Sequence, residues 1–248
     1  MSSFTKNHQL FSRFAIFLAL FFVSSNFSFA DEDVKKKYKG NIDLGATLSQ
    51  GNSREQSLQA NANLTYSFSE TIENIFRSRA ENKKLNDLRT KEEYFVNNQT
   101  RQNLGEYNFR FVELEFISDR FGGYNYRTSQ TIGLGRRLIN KKDTQLSVQI
   151  GSGLRQSKLT NDEKIHSATV RFGLSFSTKF NDILSFQENL DISADRIAVI
   201  TRSDANLRIS LNKTLYLKLG VLMNHVSDVP AGRKRTDITT ALKVGYEF

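Results

Sequence analysis

One spacing in the sequence could support covalent chemistry. In His225-Val226-Ser227 an imidazole stands two residues from a hydroxyl, and a base beside a hydroxyl is what an activated serine requires. Residues two apart in a strand share a face, so both side chains would point outward together. The group that would orient the base is missing. The segment that follows holds no Asn, and Asn206 on the preceding one has inward parity. His-x-Ser is a motif that chance supplies often, so no catalytic residue is assigned and the chain is not expected to be an enzyme.

Metal and cofactor chemistry finds little support either. The sequence has no cysteine and three histidines, which removes disulfide scaffolds, thiolate metal sites and lipid-modified cysteine, and leaves His166 and His225 too few for a transition-metal site. Asp162-Glu163 could face a calcium ion, but adjacent loop acids read first as solvated. Lys35-Lys36-Lys37 has the charge for nucleic acid without any recognition module around it. No cofactor, no metal and no nucleic-acid partner are expected.

The informative side chains are charges on one face of alternating segments. Apolar residues recur at every second position in Ile42-Leu48, Leu58-Phe68, Leu146-Leu154, Ala168-Phe176, Ala205-Leu211, Leu215-Met223 and Ile238-Phe248, with polar residues between them. That period of two marks strands with unlike faces. Parity puts Arg155, Arg171, Arg208, Lys218 and Lys243 on the polar face, together with Asp43, Asp191, Asp204, Asp237 and Glu247. The three acids Asp191, Asp204 and Asp237 fall toward one end and four of the cations fall deeper. Lys243 and Asp43 would meet if the last strand closed on the first.

Such strands are longer than the five or six residues usual in a soluble sandwich, and their polar faces would make a poor core. Crossing a bilayer takes about 9 to 11 tilted residues per strand, and only a closed barrel pairs all of its backbone in hydrocarbon. Adding weaker segments near 71–82, 92–103, 106–117 and 125–139, and Leu184 to Ala194 with Glu188 on its apolar face, gives an all-β, transmembrane, antiparallel up-and-down β-barrel of about twelve strands. Ten or fourteen also fit, because neither parity is clearly apolar between Tyr94 and Gln102, and the apolar register switches near Phe111-Val112, as a bulge would make it. Tight turns at 69–71, 103–105, 140–143, 180–182 and 212–214 alternate with longer polar links near 83–91, 118–124, 156–164, 195–202 and 226–235, plus the short Gly51-Asn52-Ser53. Short turns face the periplasm in bacterial outer-membrane barrels, so an even strand count puts both termini there.

The ends of the chain agree with that destination. Lys6 and Arg13 precede ten apolar residues, Phe14 to Val23, and Ser28-Phe29-Ala30 presents small residues where a signal peptidase cuts. Ten residues fall short of the roughly 20 that a transmembrane helix needs. Residues 1–30 are therefore read as a signal peptide cleaved after Ala30, residues 31–38 as a short periplasmic segment, and 39–248 as the barrel, located in the bacterial outer membrane. The whole chain of 248 residues carries +9. The final Gly245-Tyr246-Glu247-Phe248 resembles the terminal signal by which the barrel-assembly machinery recognises its clients, with Gly245, Tyr246 and Phe248 as its residues. Phe68, Phe180, Tyr246 and Phe248 lie near the tight turns as an aromatic girdle would; Tyr216 is also there, but with inward parity.

Gly45 to Asn52 (Gly-Ala-Thr-Leu-Ser-Gln-Gly-Asn), Ser118 to Arg127 and Gly133-Leu134-Gly135 resemble the YdiY-like salt-induced outer-membrane proteins. The resemblance covers most of the chain after residue 30. It implies an outer-membrane barrel of unassigned molecular activity with a link to salt or osmotic response. Function is therefore expected to be a small passive diffusion channel with a mixed-charge lumen. The alternative is a plugged structural barrel acting through its outer loops, and a weaker third reading is an enzyme of the outer-membrane phospholipase type at His225 and Ser227. Expected partners are outer-membrane lipid, lipopolysaccharide facing Arg233-Lys234-Arg235 and the loop-side Lys83, Lys84, Arg89 and Lys91, and the assembly machinery; oligomeric state is left open.

Overall fold

The segments with period-two patterning, and the weaker ones between them, are realised as strands. A computed structural model describes residues 37–49, 55–229 and 234–248. The targeting segment, most of the segment 31–38, the Gly51-Asn52-Ser53 link and Arg233 lie outside the described residues. The strands are β1 (Tyr38–Ser49), β2 (Glu55–Ser67), β3 (Ile72–Leu85), β4 (Leu88–Leu104), β5 (Asn108–Asp119), β6 (Tyr124–Asn140), β7 (Thr144–Leu159), β8 (Lys164–Lys179), β9 (Leu184–Ala194), β10 (Val199–Ser210), β11 (Leu215–Val226) and β12 (Thr236–Glu247). Each pairs antiparallel with its sequence neighbours, and β1 pairs with β12 to close the barrel. That closing ladder is short: Asn41 to Leu44 against Glu247 to Val244, whereas β1 and β2 pair over their full overlap from Tyr38 to Ser49.

Burial is inverted relative to a soluble protein. Among the described residues only five hydrophobic side chains are buried against fifteen polar or charged ones, so the interior is polar and the outside apolar. Leu44, Leu58, Ile132, Ile150, Leu154, Ile238 and Leu242 all stand exposed on the outer wall. A belt of this kind is far beyond the few hundred Å² of apolar patch that a soluble monomer tolerates; it is a lipid-facing surface. At the rim that carries both barrel ends, Tyr66 meets Phe68 edge-on with ring centroids 4.8 Å apart, and Tyr246 stacks on Phe248 at 6.3 Å. Phe180 is exposed at the same rim. Tyr216 is not part of this girdle. It is 1 % exposed and lies inside.

Three tight turns at this terminal rim share one construction. Ser69, Asn181 and Asn212 each accept with a side-chain oxygen from the backbone N–H groups two and three residues on, a local cap that lets the chain reverse within a few residues. The opposite rim departs from the expected longer links. Lys83 pairs with Lys91 and Lys84 with Arg89, leaving Asn86-Asp87 as a two-residue turn with φ of 49° and 64°, the left-handed pair that a tight hairpin needs. Only four residues connect β5 to β6, β7 to β8 and β9 to β10. The polar composition that suggested loops belongs to ladder extending past the apolar belt, where strands need no hydrophobic face. Only the β11–β12 link, from Ser227 to Arg235, is long.

Nor does the register of β5 switch. Its pairing with β4 runs without interruption from Asn108 to Asp119; Phe109 and Phe111 point inward and are 1 % and 2 % exposed, while Val112 and Leu114 face out. Inward aromatic residues, not a bulge, produced the apparent change. Similarly, β4 is polar on both faces because Asn98 on its outer face exchanges amide hydrogen bonds with Asn74 at 3.0 and 3.1 Å, which satisfies both groups away from water. Bulges occur elsewhere, at Lys83/Lys84, Ile117/Asp119, Tyr124/Tyr126 and Arg137/Ile139.

Three inward rings each lie on a glycine of the next strand. A Cβ on Gly135 would come within 2.2 Å of the Phe109 ring, one on Gly133 within 2.7 Å of Phe111, and one on Gly245 within 2.2 Å of Tyr216. The glycine motif Gly133-Leu134-Gly135 is thus a flat floor for two phenylalanines. Gly135→Ala is expected to destabilise the barrel by about 1–3 kcal/mol, the usual cost of overpacking, read as an earlier midpoint in denaturant unfolding; an unchanged midpoint would contradict this packing.

Candidate functional site

The interior wall is built by the polar parity of all twelve strands and encloses a cavity of about 850 Å³. Its lining runs from Asn140 and Gln145, beside a terminal-rim turn, to Phe121, Lys234 and Arg235 at the opposite rim. Fourteen lysines and arginines and nine carboxylates line it among the described residues, so its surface is cationic overall.

Arg155, Arg171, Lys218, Lys243, Asp191, Asp204 and Asp237 all line this space. Arg171 on β8 binds Asp191 on β9 through two short bonds, Nε to Oδ1 at 2.8 Å and Nη2 to Oδ2 at 2.5 Å, and reaches across to Glu113 and Glu115 on β5. Asp191 and Arg171 therefore share a level, and an acidic mouth above a basic belt does not exist there. Asp204 accepts from Asn206 at 2.9 Å. Asp237 is exposed at the rim.

Asp43 is fully buried and accepts from Lys218 Nζ and the Tyr216 hydroxyl. Its cation is thus Lys218 and not Lys243. With the Asn61 amide turned so that its oxygen faces the ammonium, Lys243 donates to it at 2.9 Å; the side chain of Lys243 leans over Gly45 toward β2. Arg208 pairs with Glu247 and lies 3.9 Å above the Tyr216 ring. Gly245 thereby has a packing role beneath Tyr216, while Tyr246 and Phe248 stand on the lipid face.

Residues that parity arguments did not reach form the centre of the network. Glu93 on β4 accepts from Arg79 at 2.6 and 3.1 Å and from Arg202 at 3.1 Å. Arg202 belongs to β10, six strands from β4 in either direction around the barrel, so this bond spans the lumen. Phe95 stacks between the same two guanidiniums, at 5.0 and 4.9 Å. Lys91 turns inward to Glu81 at 2.9 Å and does not face outward as a loop-side cation. The missed signal was the hairpin turn at 69–71: carrying the inward parity of Asn61 across it gives Arg79, its ladder partner.

Outside the strands, Asp195 ties the opposite rim together. It accepts from Arg155 at 2.9 Å, Ser167 at 3.0 Å, and the amides of Ile197 and Ala198 at 2.8 and 2.9 Å. Desolvation opposes its ionisation, but those amides, the hydroxyl and the guanidinium together hold its carboxyl below the usual range. Of the rim cations, Lys234 and Arg235 line the cavity mouth. His225 Nδ1 contacts Thr236 Oγ1 at 2.8 Å, and Ser227 Oγ accepts from the Val199 amide at 2.8 Å; the histidine and the serine are engaged with different partners.

A closed barrel with lipid outside and a charged interior defines an integral β-barrel membrane protein. The chain belongs to the family described as "Protein of unknown function, DUF481", whose model matches residues 42–248. It is 25 % identical over 215 residues to the "Uncharacterized protein YdiY" of Escherichia coli (strain K12), covering 86 % of this chain and 84 % of that one. Its fold is similar to that of the NanC porin, with a TM-score of 0.51 at 12 % identity over 84 % of this chain and 98 % of the porin. It is similar also to the COG4313 outer membrane channel from Pseudomonas putida F1, with a TM-score of 0.51 at 8 % identity over 85 % and 95 %. At such identities the likeness concerns the fold, and the fold is one used by outer-membrane barrels.

Two outcomes test the network. Asp43→Asn, which strips Lys218 of its carboxylate, is expected to cost about 3–5 kcal/mol, as when one partner of a buried pair is removed, measured by denaturant unfolding. For Asp195 the depressed carboxyl contributes stability that is full above the ordinary value of about 3.9 and is lost as pH falls through the lower folded value. Asp195→Asn should therefore flatten the loss of stability below about pH 4; an identical acid profile would disprove the assignment.

Proposed function

We propose that the protein is a passive diffusion channel of the bacterial outer membrane, with both termini in the periplasm and a lumen that favours anions. The observation that carries this reading is the 850 Å³ cavity whose lining reaches both rims. The cationic excess of that lining supports anion preference, because a charged, narrow path surrounded by low dielectric concentrates the opposite ion. Twelve strands enclose more room than the eight that side chains just fill. The Glu93–Arg202 bond, with Phe95 beside it, is the constriction a solute would pass.

The same bond favours a second reading, a structural barrel whose lumen is held shut and whose outer rim makes the contacts that matter. In that case Arg233, Lys234 and Arg235 would serve lipopolysaccharide phosphates, although the cavity-facing position of Lys234 and Arg235 suits a mouth better. No enzymatic step is assigned to either reading. Delivery by a cleaved signal peptide and the barrel-assembly machinery belongs to both, and so does a role under salt or osmotic stress, which rests on the family resemblance.

Single-channel recording of refolded protein in planar bilayers decides between them. Reproducible steps, larger in Arg202→Ala and Glu93→Ala and with anions carrying most of the current, are the expected result. Silence from protein whose gel mobility shifts on heating, as a folded barrel's does, would sink the channel and leave the plugged barrel.

A further inference from the structure

Six of the cavity-lining cations have a close carboxylate partner. Arg79, Lys91 and Arg202 share Glu81 and Glu93; Arg171 has Asp191 and Glu113; Arg155 has Asp195; Lys218 has Asp43. Three arginines in the terminal-rim half of the lumen have no carboxylate closer than 4.0 Å among the described residues. Arg137 donates to the backbone oxygen of Glu106 at 3.2 Å and to Asn103 Oδ1 at 2.8 Å. Arg77 donates to Asn97 Oδ1 at 3.2 Å. Arg101 donates to Gln99 Oε1 at 2.5 Å, and its nearest carboxylate, Glu73, stands at the 4.0 Å limit.

Neutral oxygens take one or two hydrogen bonds from each of these guanidiniums and leave its charge unneutralised. Two of them are also fixed in place: Arg101 and Arg137 both stack on Phe109, with 4.8 and 5.5 Å to the ring centre, and Phe109 itself is seated on Gly135. Arg77 lies on the same inner wall, its ladder partner Asn97 four residues from Arg101 along β4. Like charges gathered in a partly shielded lumen repel one another. Three positioned forks with no carboxylate nearer than 4.0 Å match an oxyanion carrying several negative charges, since guanidinium binds carboxylate and phosphate oxygens pairwise.

We propose that Arg77, Arg101 and Arg137 form a binding site for a small polyvalent oxyanion, a polycarboxylate or a phosphate, at the terminal-rim end of the lumen. This deepens the channel reading by giving the path a stopping place for its solute. The plain alternative is a diffuse positive mouth that attracts anions in proportion to charge, with no site.

Calorimetric titration of the refolded barrel in neutral detergent, at constant ionic strength, separates the two. The probes are citrate and inorganic phosphate, with acetate as the monovalent comparison. Saturable binding of citrate or phosphate near one per barrel, at least tenfold tighter than acetate, is expected, and the tighter of the two identifies the ligand chemistry. Arg101→Gln and Arg137→Gln should each weaken it by roughly tenfold, about the effect of one charge-assisted hydrogen bond. Arg110→Gln removes a cation bonded to Gln102 on the outer wall and should leave binding unchanged. Should Arg101→Gln lose its heat-dependent gel shift, Arg137→Gln, whose partners lie in a turn and at a strand end, carries the test. Absence of saturable heat, or equal weakening in Arg110→Gln, would overturn the site. Because binding is read without a membrane, a barrel that binds citrate but conducts nothing would remove the channel and keep the site.

Discussion

A strand in hydrocarbon has no water to satisfy its amides, so each must find its partner in a neighbouring strand, and the sheet must close. Everything else here follows from that closure. It turns one face of each strand to lipid, which is why Leu, Ile and Val stand exposed. It also delivers the polar faces to one enclosed space, which is why the buried residues are Asp43, Glu93 and Gln99 in place of an aliphatic core. The charged lumen is a product of the architecture before it is a device for transport.

What distinguishes this lumen is how its charges are grouped. Pairing across adjacent strands, as between Arg79 and Glu93 or Arg171 and Asp191, ties the wall together locally. Pairing across the lumen, as between Arg202 and Glu93, ties opposite walls to each other. Inward aromatic residues set the shape: Phe109, Phe111 and Tyr216 lie flat because glycines face them, and Phe109 then serves as the plate on which two guanidiniums rest. Glycine placement and arginine placement are thus one design on the β4–β6 wall.

Fold class and strand number were readable because lipid imposes a strict alternation and turns recur at regular spacing. β1, β2, β7, β8 and β10 to β12 show it plainly. The wall from β3 to β5 did not, for a physical reason: its inner face carries Phe95, Phe109 and Phe111 and its outer face carries Asn74, Asn98 and Thr100, so hydrophobicity no longer separates inside from outside. The inward charges of the clean strands could be assigned by parity, yet their partners could not, since pairing depends on ladder register and on contacts through the lumen. Lys218 reaches Asp43 where Lys243 seemed nearer in the ladder, and Glu93, which parity left unassigned, became the hub. Strand extension past the apolar belt was hidden for a related reason: Lys83, Lys84, Arg89 and Lys91 have loop composition and strand geometry.

Eleven of the twelve strand pairings join consecutive segments, so almost all of this sheet is made of local contacts; the exception joins Asn41 to Glu247 through the shortest ladder in the barrel. Topologies dominated by local contacts form quickly, and the entropy of joining distant ends falls on the one pairing that spans the chain. Assembly therefore has a natural order, with a ribbon of hairpins growing first and a weak clasp fastening last. Until it fastens, the ribbon has two bare edges, β1 and β12, and an unpaired edge is a template for any other strand. The step that most needs guarding during biogenesis is then the final one, when an almost complete sheet must meet its own far edge before it meets another chain's.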